Sequence, residues 1–276
     1  MTTEQICEVV KKSIVKLLVV DSSSGDVVSQ GSGVVIDSNG FVLTANHVIS
    51  ASLKGPTYHI IGIPHEGGGR RFYTRSFGDI TFEIGDQDHI SPLNVDLAIL
   101  LPLESGTFTP ITLEENVPAE GTQVTMAGFP EDLKTPLDIV EKFKSQKLTG
   151  PRAIEKIKEF SYSIIPWIMF KHGIIGGVIH IYAGRMQADV LGSVVSFPLH
   201  AAEYWIDNTY ARGASGGPVV NSEGSLLGII TETGETSTTD LTGTLSFPVP
   251  SGSTRVLSHK LITWSISELK KRIADN

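Results

Sequence analysis

The chain has 276 residues, 40% of them hydrophobic and 19% charged, with a formal net charge of −8. That length buries a sizeable core without staples, and an acidic balance without a basic footprint excludes nucleic acid as an expected partner. The single cysteine, Cys7, rules out an intrachain disulfide. This suits a reducing compartment, and a cytoplasmic location is the expectation, although a disulfide-free exported protein satisfies the same composition.

The N-terminal stretch "MTTEQICEVVKKSIVKLLVVD" carries Glu4 and Glu8, and its apolar run ends at Asp21 without a small-residue cleavage site. It reads as a short helix followed by a strand rather than a signal peptide. Next come "VVSQGSGVVID", the turn Ser38-Asn39-Gly40, and "FVLTANHVIS". Asn and Gly tolerate positive φ, so this is a hairpin signal. Residues 67–84 read as a strand pair after a glycine-rich loop, and residues 94–103 as a continuous apolar strand after one acidic residue. "TQVTMAGFP" (122–130) begins a second set of strands.

Residues 137–160 hold two amphipathic helical stretches split by Thr149-Gly150-Pro151. The apolar segment 163–184 is interrupted by Pro166, Lys171 and His172. A membrane span needs about 20 uninterrupted apolar residues, so buried strands are expected there and no span. Strands continue over 174–200, 216–231 and 243–249. The C-terminal "SISELKKRIADN" reads as a helix capped by Ser265 or Ser267, with Ile266, Leu269 and Ile273 as its apolar stripe. Many short strands with few helices give an all-β chain, a sandwich or barrels.

Three segments carry chemistry. His47 follows the strand in "FVLTANHVI", Asp96 opens "DLAIL", and Ser215 lies in "RGASGGPVV". A serine hydroxyl becomes a nucleophile only when a base takes its proton as it attacks. Histidine is the natural base near neutral pH. A carboxylate on the far ring nitrogen sets the tautomer, and two backbone N–H groups must face the developing oxyanion. Taken singly, each segment has a plain structural reading: a turn before a strand, a satisfied histidine, a strand-end aspartate. Taken together in the order His, Asp, Ser, they follow the order used on double β-barrels.

These segments resemble the trypsin-like (chymotrypsin-fold) serine proteases, and most closely the disulfide-free HtrA/Deg-type branch. The matching blocks are "GSGVVIDSNGFVLTANHVI", "DLAIL", "SGGPVVNSEGSLLGI" and "LSFPVPS", within residues of about 10–130 and 186–275. The resemblance implies two packed antiparallel β-barrels. The first spans about 12–120 and the second about 121–262, with a helical insertion around 132–170 inside a divergent stretch 131–185, and a C-terminal helix over 263–276.

The implied activity is a cofactor-free, metal-free serine endopeptidase acting on polypeptide. Ser215 is the implied nucleophile, His47 the general base and acid, Asp96 the orienting carboxylate, and the amides of Gly213 and Ser215 the oxyanion hole. Thr209 would lie at the base of the S1 pocket and, lacking a carboxylate, favour apolar or small P1 residues. Thr231 would support the aspartate, and Thr231 and Thr233 lie on the strand 229–234 expected to pair with substrate. The branch usually has Asn before the nucleophile and digestive enzymes have Asp, whereas Ala214 stands here, which excludes activation through a freed N-terminal ammonium. The rival reading is a latent or non-catalytic peptide-binding module on the same fold, because resemblance fixes a fold better than an activity.

Overall fold

The structure, a computed structural model, describes residues 1–66, 71–78, 80–85, 90–131, 167–181, 186–188, 193–195, 199–239 and 246–275. Helix α1 (Thr3–Ser13) begins at a capping box. The Thr2 hydroxyl accepts from the Gln5 amide at 3.3 Å, and the Gln5 side chain accepts from the Thr2 amide at 2.9 Å, so two otherwise orphaned donors are satisfied. Ile6 and Val10, one turn apart, are its buried stripe. The β-branched and leucine-rich run that follows forms β1 (Ile14–Asp21), as the sequence led one to expect.

The first barrel continues with β2 (Asp26–Val35), β3 (Val42–Thr44), β4 (Tyr58–Pro64) and β5 (Arg71–Phe77). Strands β6 (Ile80–Gly85) and β7 (Ile90–Val95) pair only with each other, and β8 (Ala98–Pro102) returns to the barrel. The closed order is β1-β2-β3-β8-β5-β4. The Ser38-Asn39-Gly40 turn joins β2 to β3, with Val35 opposite Val42. Asp37 Oδ1 accepts from the Asn39 and Phe41 amides at 3.1 and 2.9 Å, which stabilises the bend. Segment 67–84 does supply two strands, but β5 pairs with β4 and β8 rather than with β6. Alternation within one segment cannot reveal that its two strands belong to different sheets.

The second barrel contains β9 (Gln123–Gly128) and β10 (Met169–Ile181). A separate pair, β11 (Met186–Ala188) and β12 (Ser193–Val195), precedes β13 (Leu199–Ile206), β14 (Pro218–Val220), β15 (Leu226–Thr239) and β16 (Ser246–Ser258). Its closed order is β10-β13-β16-β15-β14-β9. The helical insertion expected around 132–170 lies outside the described residues as far as 166, and Met169 and Phe170 already belong to β10. That strand is a barrel wall with one face outward. Within it Ile175 is buried while Ile174 and Ile179 are exposed, so the strand expected to be buried is buried on one face only. No described helix is long and apolar enough to cross a membrane.

After α2 (Asn46–Ile49), the last helix is α3 (His259–Asp275), which starts earlier than the serine caps suggested. Ser265 is fully buried inside it and donates to the Leu261 carbonyl at 2.9 Å. A serine inside a helix can satisfy its hydroxyl this way. One apolar cluster joins the parts: Leu43, Phe77 and Leu97 from the first barrel, Phe129, Ile229 and Leu257 from the second, and Leu261 and Leu269 from α3. The seam between the barrels is therefore packed core, and groups facing each other across it are held in register.

Candidate active site

His47 sits on α2, the single helical turn entered directly from β3. Its partner stands at a break in the expected continuous strand. β7 ends at Val95, β8 starts at Ala98, and the Leu97 amide donates back to the Val95 carbonyl at 2.8 Å. The tight bend projects Asp96 out of the sheet. Asp96 Oδ2 lies 2.6 Å from His47 Nδ1, and its Oδ1 accepts from the His47 backbone amide at 2.8 Å. A carboxylate only accepts, so Nδ1 carries the hydrogen and Nε2 is left as the ring's free base. The hydrogen bond to Asp96 holds the His47 pKa above the ordinary imidazole value. Desolvation opposes that rise, and the charges of Asp96 and then Glu232 add to it.

Ser215 lies in the turn between β13 and β14. Gly213 and Gly216 adopt φ of +85° and +82°, the left-handed region that glycine enters without steric cost. The backbone is pinned on its rear side. The Arg212 carbonyl accepts from the Glu131 amide at 2.7 Å, and the Ala214 carbonyl from the Gly217 amide at 2.7 Å. A trans peptide directs its N–H opposite to its C=O. The Gly213 and Ser215 amides therefore face away from those partners, and among the described residues neither donates to a protein group.

His47, Asp96, Gly213, Ser215, Thr231 and Thr233 all line one cleft of about 680 Å³ between the barrels. Thr209 is not among the residues lining this cleft, and its carbonyl accepts from the Lys171 ammonium. Thr231 does not support Asp96; its hydroxyl donates to the Arg255 carbonyl at 3.3 Å, because it lies on β15 facing β16. The Thr233 hydroxyl donates to the Tyr210 carbonyl at 3.3 Å. Strand β14 covers β15 only from Leu226 to Ile229. Ile230 still exchanges hydrogen bonds with Gly216 and Gly217, and beyond it Thr231–Thr233 line the cleft.

The cleft also holds a charged cluster that the sequence did not reveal. Glu203 from β13 pairs with Arg255 from β16, with Nε to Oε2 at 2.9 Å and a second bond from Nη2 to Oε1. Arg255 Nη1 also reaches Glu232 Oε2 at 3.0 Å. Glu203 is almost fully buried and Glu232 is exposed. This fork-to-fork geometry is the strong form of an arginine–carboxylate pair.

Residues 31–229 match the trypsin-like peptidase domain family. The chain belongs to that family. It is thus a serine peptidase, a hydrolase whose substrates are polypeptides. Among solved structures, this trypsin-like peptidase is similar to the inactive form of a serine-to-alanine mutant of Rv3671c from M. tuberculosis. The TM-score is 0.54 at 16% identity, over 98% of this chain and 92% of that one. It is also similar to a serine endoprotease from Yersinia pestis, with a TM-score of 0.56 at 18% identity, over 98% of this chain and 66% of the other. Both likenesses concern the fold, and they agree with its two six-stranded barrels. No curated protein sequence matches the chain.

Proposed function

We propose that the protein is a serine endopeptidase in which Ser215 attacks the scissile carbonyl and His47 takes and returns the proton. Asp96 holds the ring, and the Gly213 and Ser215 amides stabilise the oxyanion. The observation that carries this reading is the doubly bonded His47–Asp96 pair facing, across one cleft, a serine turn whose two amides are free of protein partners among the described residues. With Nδ1–H committed to Asp96, Nε2 takes the hydroxyl proton as the tetrahedral intermediate forms, and the Asp96 carboxylate steadies the resulting imidazolium. The proton then passes to the leaving amine, and water repeats the sequence on the acyl-enzyme. Substrate lies extended along the edge of β15 at Thr231–Thr233, adding main-chain hydrogen bonds as an extra strand does.

The preference at P1 is for apolar or small residues, on grounds other than Thr209. Glu203, the most buried carboxylate of the cleft, is neutralised by Arg255, which also engages Glu232. No unpaired buried anion among the described residues awaits an Arg or Lys side chain. Internally quenched peptide libraries test both parts. Cleavage at internal bonds, absent in Ser215→Ala, is expected, with small and apolar P1 residues leading. A profile led by Arg or Lys contradicts the P1 reading, and turnover that survives Ser215→Ala contradicts the nucleophile.

A further inference from the structure

Four consecutive peptide planes run through the nucleophile turn. The planes 212–213 and 214–215 carry the two amides of the oxyanion hole. The other two planes, 213–214 and 215–216, are gripped by one residue of the other barrel, Ser32 on β2. Its hydroxyl donates to the Gly213 carbonyl at 2.9 Å, and its amide donates to the Ser215 carbonyl at 2.8 Å. The side chain is fully buried, and its hydroxyl also accepts from the Phe129 amide at 3.0 Å. A carbonyl can only accept and an amide can only donate, so the single hydroxyl hydrogen has one possible destination, Gly213.

We propose, building on the peptidase reading above, that Ser32 is the positioning residue that keeps the oxyanion turn open. It acts from the first barrel where Ala214 offers no side chain of its own. Ala214 is buried with only a methyl group and anchors nothing by hydrogen bonding from its side chain. Gly213, at φ +85°, is the freest hinge of the turn. Without the Ser32 hydroxyl, the 213–214 plane keeps only the longer bond from its Ala214 amide to the Ala211 carbonyl, at 3.3 Å. The neighbouring 212–213 plane is then held only by the Glu131 amide on the Arg212 carbonyl, at 2.7 Å, and breaking that one bond lets it rotate and turn a carbonyl into the hole in place of the Gly213 amide. Ser32 touches no substrate; it acts through the turn.

The test compares Ser32→Ala with Thr44→Val. The latter removes another buried hydroxyl, which donates to the Ser32 carbonyl at 2.7 Å, and leaves the Gly213 contact in place. Ser32→Ala is expected to lower kcat roughly 100-fold, the scale of losing one oxyanion donor, with KM within about twofold. Affinity for a peptide boronic acid, which forms a tetrahedral adduct, should fall in parallel. Binding of the uncleaved peptide should be the same in Ser215→Ala with and without the second change. Thr44→Val is expected to lower Tm with kcat retained. If Ser32→Ala does not fold, Ser32→Cys keeps the shape with a weaker donor and should lose roughly 10-fold in kcat. Equal kcat in wild type and Ser32→Ala, or a loss confined to KM, overturns the proposal while leaving the peptidase reading intact. A wild type that turns over no peptide removes both.

Discussion

The two barrels contribute to the cleft in different currencies. The first presents side chains: an imidazole and a carboxylate joined by two hydrogen bonds. The second presents mainly backbone: a turn whose shape is set by the Arg212, Gly213, Ala214 and Ser215 carbonyls, each held by a donor. A half built from side chains fails when those side chains change, and its state is written in a pH profile. A half built from backbone fails when its supports change, although those supports never touch substrate. The same chemistry thus has two kinds of weak point.

The largest expected effect is on the side-chain half. Asp96→Asn should cost roughly 10⁴-fold in kcat, because an amide at that place favours the wrong ring tautomer. It also removes the first cause of the raised His47 pKa. Only neutral His47 acts as base, so activity rises as pH passes the His47 pKa. In the wild type that rise lies above the ordinary imidazole value, and in Asp96→Asn the residual activity should set in at lower pH. The linkage to stability has the matching sign. A raised pKa in the folded state stabilises fully below the unfolded value and fades as pH rises through the folded one. The loss of stability in Asp96→Asn should therefore be greater in mild acid than in mild base, as thermal melts at the two pH values would show.

A smaller effect is expected on the backbone half. Gly128 lets two supports converge: a Cβ added there lies 2.8 Å from the Ala214 Cβ and 3.2 Å from the Ser32 hydroxyl. Gly128→Ala should push both, destabilising the protein by about 1–3 kcal/mol as overpacked cores do. It should also lower kcat at nearly constant KM. A variant with normal kcat and only a reduced Tm would show that the turn tolerates movement of its rear wall.

The smallest effect belongs to Glu232→Gln. Glu232 is exposed and raises the His47 pKa only through its charge, as the last of the contributing causes. The acid limb of the kcat/KM profile should move slightly toward lower pH, and the difference from wild type should shrink at high salt, which screens exposed charges. A salt-independent shift would point to a contact rather than a field.

Legibility in the sequence follows the same division. His47, Asp96 and Ser215 stood out because their chemistry resides in the side chain and each sits in a short apolar context. Two barrels were legible through the resemblance those motifs carry. The Glu203–Arg255 pair was not, since its partners lie on different strands and meet only through the β13–β16 register. Ser32 read as one residue of a Gly-Ser-Gly strand; its contact with Gly213 spans 181 positions along the chain and the seam between the barrels. The early start of α3 was missed because His259 reads as polar yet is fully buried.

The central claim is that the two halves form one competent site, and labelling by a fluorophosphonate probe as a function of pH tests it most directly. The expected result is a single modified residue, lost in Ser215→Ala, with a labelling rate that climbs through a pKa above the ordinary imidazole value and drops sharply in Asp96→Asn. Labelling that persists in Ser215→Ala, or none at any pH, would contradict it.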